Sequence, residues 1–147
     1  MDMNRGLLLF SPSRPAGQLP PLVLAYAGDA IYEMLVRQYL ISRTQLKPNH
    51  LHRESTRFVS AKAQSRFLQE WMPHLTEEEI DVVKRGRNAK SGTVPKNADV
   101  LDYRHATAFE CLIGYLYYEG RLDRLEELLG LIIPPTPQPE EELARGE

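Results

Sequence analysis

Apolar residues recur at helical spacing along almost the whole chain. From Pro20 to about Ile41 two stripes coexist, Leu22, Tyr26, Val36 and Leu40 on one side and Leu24, Ile31, Leu35 and Tyr39 on another. This pattern predicts a central helix that is apolar on two sides. Pro48 suits the first turn of a second helix running to about Trp71, with Leu51, Phe58, Val59, Phe67 and Leu68 inward and the basic residues outward. Thr76-Glu77-Glu78-Glu79 has the form of a capping box and opens a short helix that Gly86 closes. The run Arg87 to Asn97, rich in turn formers and basic groups, reads as a long exposed loop. Helical spacing returns from about Asp102 to Glu119, with Ala106, Phe109, Ile113 and Tyr117 on one stripe and Gly120 as the stop. A last helix, Arg121 to Ile133, buries Leu122, Leu125, Leu129 and Ile132. No segment keeps strand alternation and no internal repeat is evident, so the predicted class is all-α.

Length sharpens this to one domain: 147 residues suffice for a single core. The expected division is an N-terminal extension over 1–19, a folded domain over 20–133 and a disordered Pro-rich acidic tail over 134–147. The lone cysteine, Cys111, excludes an internal disulfide and a cysteine-rich zinc site, and reads as a small core residue. The run Leu7-Leu8-Leu9-Phe10 is too short for a signal segment or a membrane span, which makes a cytoplasmic protein the expectation.

A net charge of −2 conceals a pattern. Residues 37–67 hold seven basic side chains against Glu54 alone, and residues 84–98 hold Lys84, Arg85, Arg87, Lys90 and Lys96 with no acid. One such block is ordinarily a solvated helix face, whereas two on a near-neutral chain point to phosphate. Zinc spacing is absent, since His50 and His52 point to different sides of a helix and His74 and His105 stand alone as surface or interface histidines. Neither a complete phosphate loop nor a G-x-S-x-G turn occurs.

Two carboxylates do stand out. Asp29 falls on an apolar stripe of the first long helix, and Glu110 beside Ala106, Phe109 and Ile113 on another. An arginine partner is the ordinary resolution for one buried acid. The flanks argue for more, because Gly28 adjoins Asp29 and Gly114 lies one turn beyond Glu110, and glycine inside a helix marks close backbone approach. The two helices are therefore expected to cross closely with Asp29 facing Glu110. Paired carboxylates repel unless a cation lies between them, and oxygen-only ligation suits Mg²⁺ or Mn²⁺. Basic blocks for a phosphate backbone and a buried acidic pair for Mg²⁺ are the parts of phosphodiester hydrolysis.

Ala27-Gly28-Asp29-Ala30-Ile31-Tyr32 and Ala108-Phe109-Glu110-Cys111-Leu112-Ile113-Gly114 resemble the two acidic motifs of the ribonuclease III catalytic domain. Lys47-Pro48-Asn49, Val59-Ser60-Ala61-Lys62-Ala63-Gln64, Arg85-Gly86-Arg87-Asn88-Ala89-Lys90-Ser91-Gly92 and Pro95-Lys96-Asn97-Ala98 extend the likeness to its Mini-III branch, over roughly residues 20–130. The resemblance implies an all-helical ribonuclease III endonuclease fold, a homodimer, cleavage of double-stranded RNA and maturation of the 23S ribosomal RNA precursor. It makes Asp29 and Glu110 the catalytic, metal-binding acids. Two further acids of the larger enzymes are replaced by Ala25 and Thr107; Thr107 is a candidate to hold water at a metal, and Glu33 has a structural reading before an assisting one. No double-stranded-RNA-binding domain is expected after residue 133.

Duplex RNA is held mainly through its shape, phosphates and 2′-hydroxyls. Lys84, Arg85, Arg87, Lys90, Ser91, Thr93 and Lys96 are accordingly expected to bind it. The surplus apolar surface of the first helix and Tyr115, Tyr117 and Tyr118 is expected to supply the dimer interface. The alternatives are a non-catalytic RNA-binding module retaining the fold, and a helical protein-interaction domain.

Overall fold

The computed structural model describes residues 7–43, 46–90, 94, 96 and 99–133. Among these are α1 (Pro21–Ile41), α2 (Pro48–Val59), α3 (Ala61–Trp71), α4 (Glu77–Asn88), α5 (Val100–Tyr118) and α6 (Leu122–Leu129), with no strand. The all-α expectation holds. No described helix is long and apolar enough to cross a membrane.

Helix α5 is the axis of the molecule. Asp99 starts it by accepting the backbone N–H groups of Leu101 and Asp102 at 2.9 and 3.0 Å. From Ala106 to Leu116 all its side chains are buried except those of Thr107 and Glu110. Helices α1, α3 and α4 pack directly on it, while α2 lies further out against α1 and α3. Aromatic rings fill the centre: Trp71 stacks on Phe109 at 4.4 Å, and Tyr32 meets the same ring edge-on at 4.9 Å. The Trp71 indole N–H donates to the Leu128 carbonyl at 2.8 Å, which ties α3 to α6. Ala16 and Leu19, in and after a short 3₁₀ turn, also enter this core.

The Thr76 capping box forms as expected, with Thr76 and Glu79 exchanging backbone-to-side-chain bonds of 2.9 and 3.2 Å. The Glu79 side chain is only 1% exposed and receives Arg124 on both oxygens, at 2.8 and 2.9 Å. These bonds from Arg124 hold the Glu79 carboxyl below the usual carboxylate range. Arg124 also donates to the His74 carbonyl at 2.8 Å, so one guanidinium fastens α6 to the start of α4. Gly120 ends the α5 segment with φ at +73°, a conformation suited to glycine.

Several expectations are corrected. The helix expected over 48–71 is two helices, because Ser60 is extended (ψ 151°) and its hydroxyl caps α3 by accepting the Ala63 N–H at 3.2 Å. Gly86 does not close α4 but lies inside it, where a Cβ would stand 2.8 Å from the Cys111 Cβ; α4 continues to Asn88. Arg87 and Asn88 therefore stand on the helix rather than in the loop expected over 87–97. Leu22 and Tyr26 face outward, Tyr26 with 83% of its surface exposed, because α5 takes the Leu24, Gly28, Tyr32 and Val36 side of α1. Tyr115 is buried within the chain and donates its hydroxyl to Glu78, while Tyr117 and Tyr118 are half-buried against each other at 5.8 Å. The last helix stops at Leu129 and continues as turns that bury Ile132. The tail over 134–147, Ser91 and Thr93 lie outside the described residues.

Candidate active site

The crossing of α1 and α5 is a backbone contact. A Cβ placed on Gly28 would lie 1.8 Å from the Glu110 carbonyl oxygen, and one on Gly114 would lie 2.1 Å from the Leu24 carbonyl oxygen. Neither position accepts any side chain while the helices stay where they are. This contact sets Asp29, which is exposed at the surface rather than buried as expected, beside Glu110, which is half-buried. Burial pushes the Glu110 carboxyl up to about 9, with the hydrogen bond and charge of Asp29 adding to the rise. The metal-free Glu110 carboxyl thus keeps its proton at neutral pH.

Two residues that sequence reasoning left without a role complete the wall behind the pair. Gln64 of α3 is buried beside Glu110, and its amide favours the charged carboxylate. Tyr32, one turn beyond Asp29 on α1, donates its hydroxyl to the Phe58 carbonyl at 2.8 Å. Burial raises the Tyr32 hydroxyl far above its ordinary range, and the Glu110 charge adds to that, so it stays a proton donor. A signal for Gln64 existed: it sits one turn before Phe67 and Leu68 and two before Trp71, a polar residue on an apolar stripe, as Asp29 and Glu110 are.

Around the pair, Ala25 is buried, and the Thr107 hydroxyl, half-buried on the Glu110 side of α5, donates back to the Tyr103 carbonyl at 3.0 Å. Glu33 pairs with Arg37 at 3.1 Å, which fits its structural reading. Cys111 is a core residue whose thiol burial pushes up to about 12. His105 is half-buried and its Nδ1 lies 3.2 Å from the Ser65 hydroxyl, so it does not stand alone. Among the described residues no group of three or more histidine, cysteine, aspartate or glutamate side chains is arranged to hold a metal. Of the basic set, Lys84, Lys90 and Lys96 are exposed and Arg87 is half-buried, reaching the Asn88 side chain at 3.3 Å. Arg85 reaches the Gly17 carbonyl at 3.5 Å. Gly86 packs on Ala108 and Cys111, so the basic last turn of α4 lies level with Glu110 along α5.

Comparison with known proteins gives the same two helices a common context. The ribonuclease III domain family matches residues 22–121, a span that takes in both acids. The Mini-ribonuclease 3 of Brevibacillus brevis is 60% identical over 109 residues, covering 74% of this chain and 81% of the relative. That of Symbiobacterium thermophilum is 53% identical over 111 residues, covering 76% and 85%. A crystal structure of a Fusobacterium nucleatum protein superposes with a TM-score of 0.75 at 29% identity, over 82% of this chain and 98% of that one. The chain belongs to the ribonuclease III family, in its Mini-ribonuclease 3 branch, and is an endoribonuclease of that type.

Proposed function

We propose that this enzyme uses Asp29 and Glu110 with Mg²⁺ to cut double-stranded RNA, works as a homodimer and matures the 23S ribosomal RNA precursor in the cytoplasm. The observation that carries the reading is the backbone crossing at Gly28 and Gly114, which sets Asp29 beside Glu110. Enzymes of the family depend on a divalent metal. The donor set fits one: hard carboxylate oxygens suit Mg²⁺, with Mn²⁺ as a substitute, and a pair that repels when ionised is relieved by a cation. The chemistry such an ion supplies when bound is polarisation of the phosphoryl oxygen and activation of water. Asp29 offers its carboxylate at the surface, where a phosphate backbone can approach, and Glu110 offers the second from a half-buried position beside Tyr32. Two acids per chain leave the remaining positions to water and substrate oxygens.

In this reading residues 20–133 form the catalytic domain, and Lys84, Arg85, Arg87, Lys90 and Lys96, with Ser91 and Thr93, hold the duplex. The basic turn of α4, packed on α5 at the level of Glu110, supports it, because cations on the same chain offset the acids' repulsion of a polyanion. The homodimer is supported by the exposed apolar face Leu22, Val23 and Tyr26, adjoining Asp29 on α1. A two-fold pair of such faces brings two acid pairs to one duplex.

A gel assay with duplex RNA, with and without Mg²⁺, tests the reading. The wild type should cut only with the metal, and Asp29→Asn should bind RNA without cutting. Unchanged turnover in that variant overturns the assignment; binding without cleavage by the wild type identifies an RNA-binding module instead, and no binding a protein-interaction domain. Sedimentation showing a stable monomer at micromolar concentration overturns the homodimer.

A further inference from the structure

Gln64 is 3% exposed, yet its side-chain Oε1 has no hydrogen-bond partner. A buried amide oxygen left unpaired is a liability that an apolar side chain of the same shape would not carry. The nitrogen end is engaged. Nε2 donates to the Val59 carbonyl at 3.0 Å, at the last residue of α2, and the same amide lies beside the Glu110 carboxyl. A primary amide nitrogen has two hydrogens, enough for both partners. Exchanging its O and N ends would set Oε1 against the Val59 carbonyl, two acceptors facing each other, so the Val59 contact fixes the amide's orientation. Beside it the Phe58 carbonyl takes the Tyr32 hydroxyl. Two consecutive carbonyls at the end of α2 thus anchor the two polar side chains that back the acid pair.

We propose that Gln64 is a positioning residue, which rests its amide on the Val59 carbonyl and presents its second N–H to Glu110, fixing that carboxylate where it meets Asp29 and receives the divalent ion. The inference rests on the catalytic reading of Asp29 and Glu110. Groups that orient a metal-binding carboxylate in this way typically influence affinity or activity by about 10–100-fold.

The test substitutes Gln64→Met, which keeps the length of the side chain and removes the amide. Mg²⁺ binding to the RNA-free protein, read by calorimetry, should weaken about tenfold or more, and cleavage should fall with it. In the Glu110→Gln background the same substitution should change Mg²⁺ binding no further, an outcome that a purely structural role does not produce. If Gln64→Met fails to fold, the wild type still decides: both Gln64 side-chain amide protons should be exchange-protected, and one should shift on Mg²⁺ titration but stay still in Glu110→Gln. Unaltered Mg²⁺ affinity in a folded Gln64→Met protein, or amide protons indifferent to the metal, overturns the proposal. Failure of the catalytic reading looks different, since Glu110→Gln would then itself bind Mg²⁺ and cut RNA normally.

Discussion

Gly28 and Glu110 meet backbone to backbone: the space a Cβ on Gly28 would occupy lies 1.8 Å from the Glu110 carbonyl oxygen. Both sides of the contact are helix, so no rotamer change relieves a methyl group there. Gly28→Ala should destabilise the fold by about 3 kcal/mol or more and separate the acids, and urea unfolding alongside a cleavage assay checks both. Gly17→Ala, where nothing lies within 4 Å, is the control and should stay within about 0.5 kcal/mol of wild type.

The raised Glu110 carboxyl makes stability depend on pH in a particular direction. The folded metal-free protein keeps a proton that the unfolded chain releases near the ordinary value of 4.5, up to about 9. Its contribution is therefore complete below the unfolded value and is lost as pH rises toward the folded one, with a slope of at most about 1.4 kcal/mol per pH unit. Thermal melts in chelator between about pH 6 and pH 9 should show this loss in the wild type and a flatter profile in Glu110→Gln. Added Mg²⁺ should stabilise the wild type more at the alkaline end.

Glu79 behaves in the opposite sense. Arg124 holds its carboxyl below the usual range, so its contribution is present above the unfolded value and is lost as pH falls through the folded one. Arg124→Met leaves Glu79 buried without its partner and should cost about 3 kcal/mol in urea unfolding at neutral pH. Glu79→Gln should cost less, because an amide oxygen can still accept the Thr76 N–H.

Removing charge from the basic set should weaken RNA binding without altering the acids. Lys90 and Lys96 are both exposed, and replacing them by alanine should lower affinity for duplex RNA. The plot of log affinity against log salt should become shallower by up to ~0.9 for each phosphate no longer neutralised, on the duplex-DNA scale. Unchanged affinity and slope would remove these lysines from the RNA-binding set.

Much of the site was legible because it violates local rules. Asp29 and Glu110 stood on apolar stripes, and Gly28 and Gly114 made helix interiors weaker than they needed to be, so acids and close crossing pointed to each other. What escaped depended on neighbours. Helix α1 is apolar on two sides, and only the packing of α5 decides that Leu24 and Tyr32 go inward and Leu22 and Tyr26 outward. Gly86 read as a stop because a glycine near a helix end usually is one; here it is a slot for Cys111. Ser60 breaks a run that periodicity alone joined, through a hydroxyl bond that hydrophobic spacing does not register.

The stacking of Trp71 on Phe109 has a practical consequence, since this is the chain's single tryptophan. Phe109 immediately precedes Glu110 on α5, and the indole is pinned at its other edge by the Leu128 carbonyl. Intrinsic fluorescence excited at the indole therefore comes from one fluorophore, which joins α3 to α5 and α6 and stacks on the neighbour of Glu110 in sequence. A change in its emission on adding metal or RNA would report rearrangement at the site without any label.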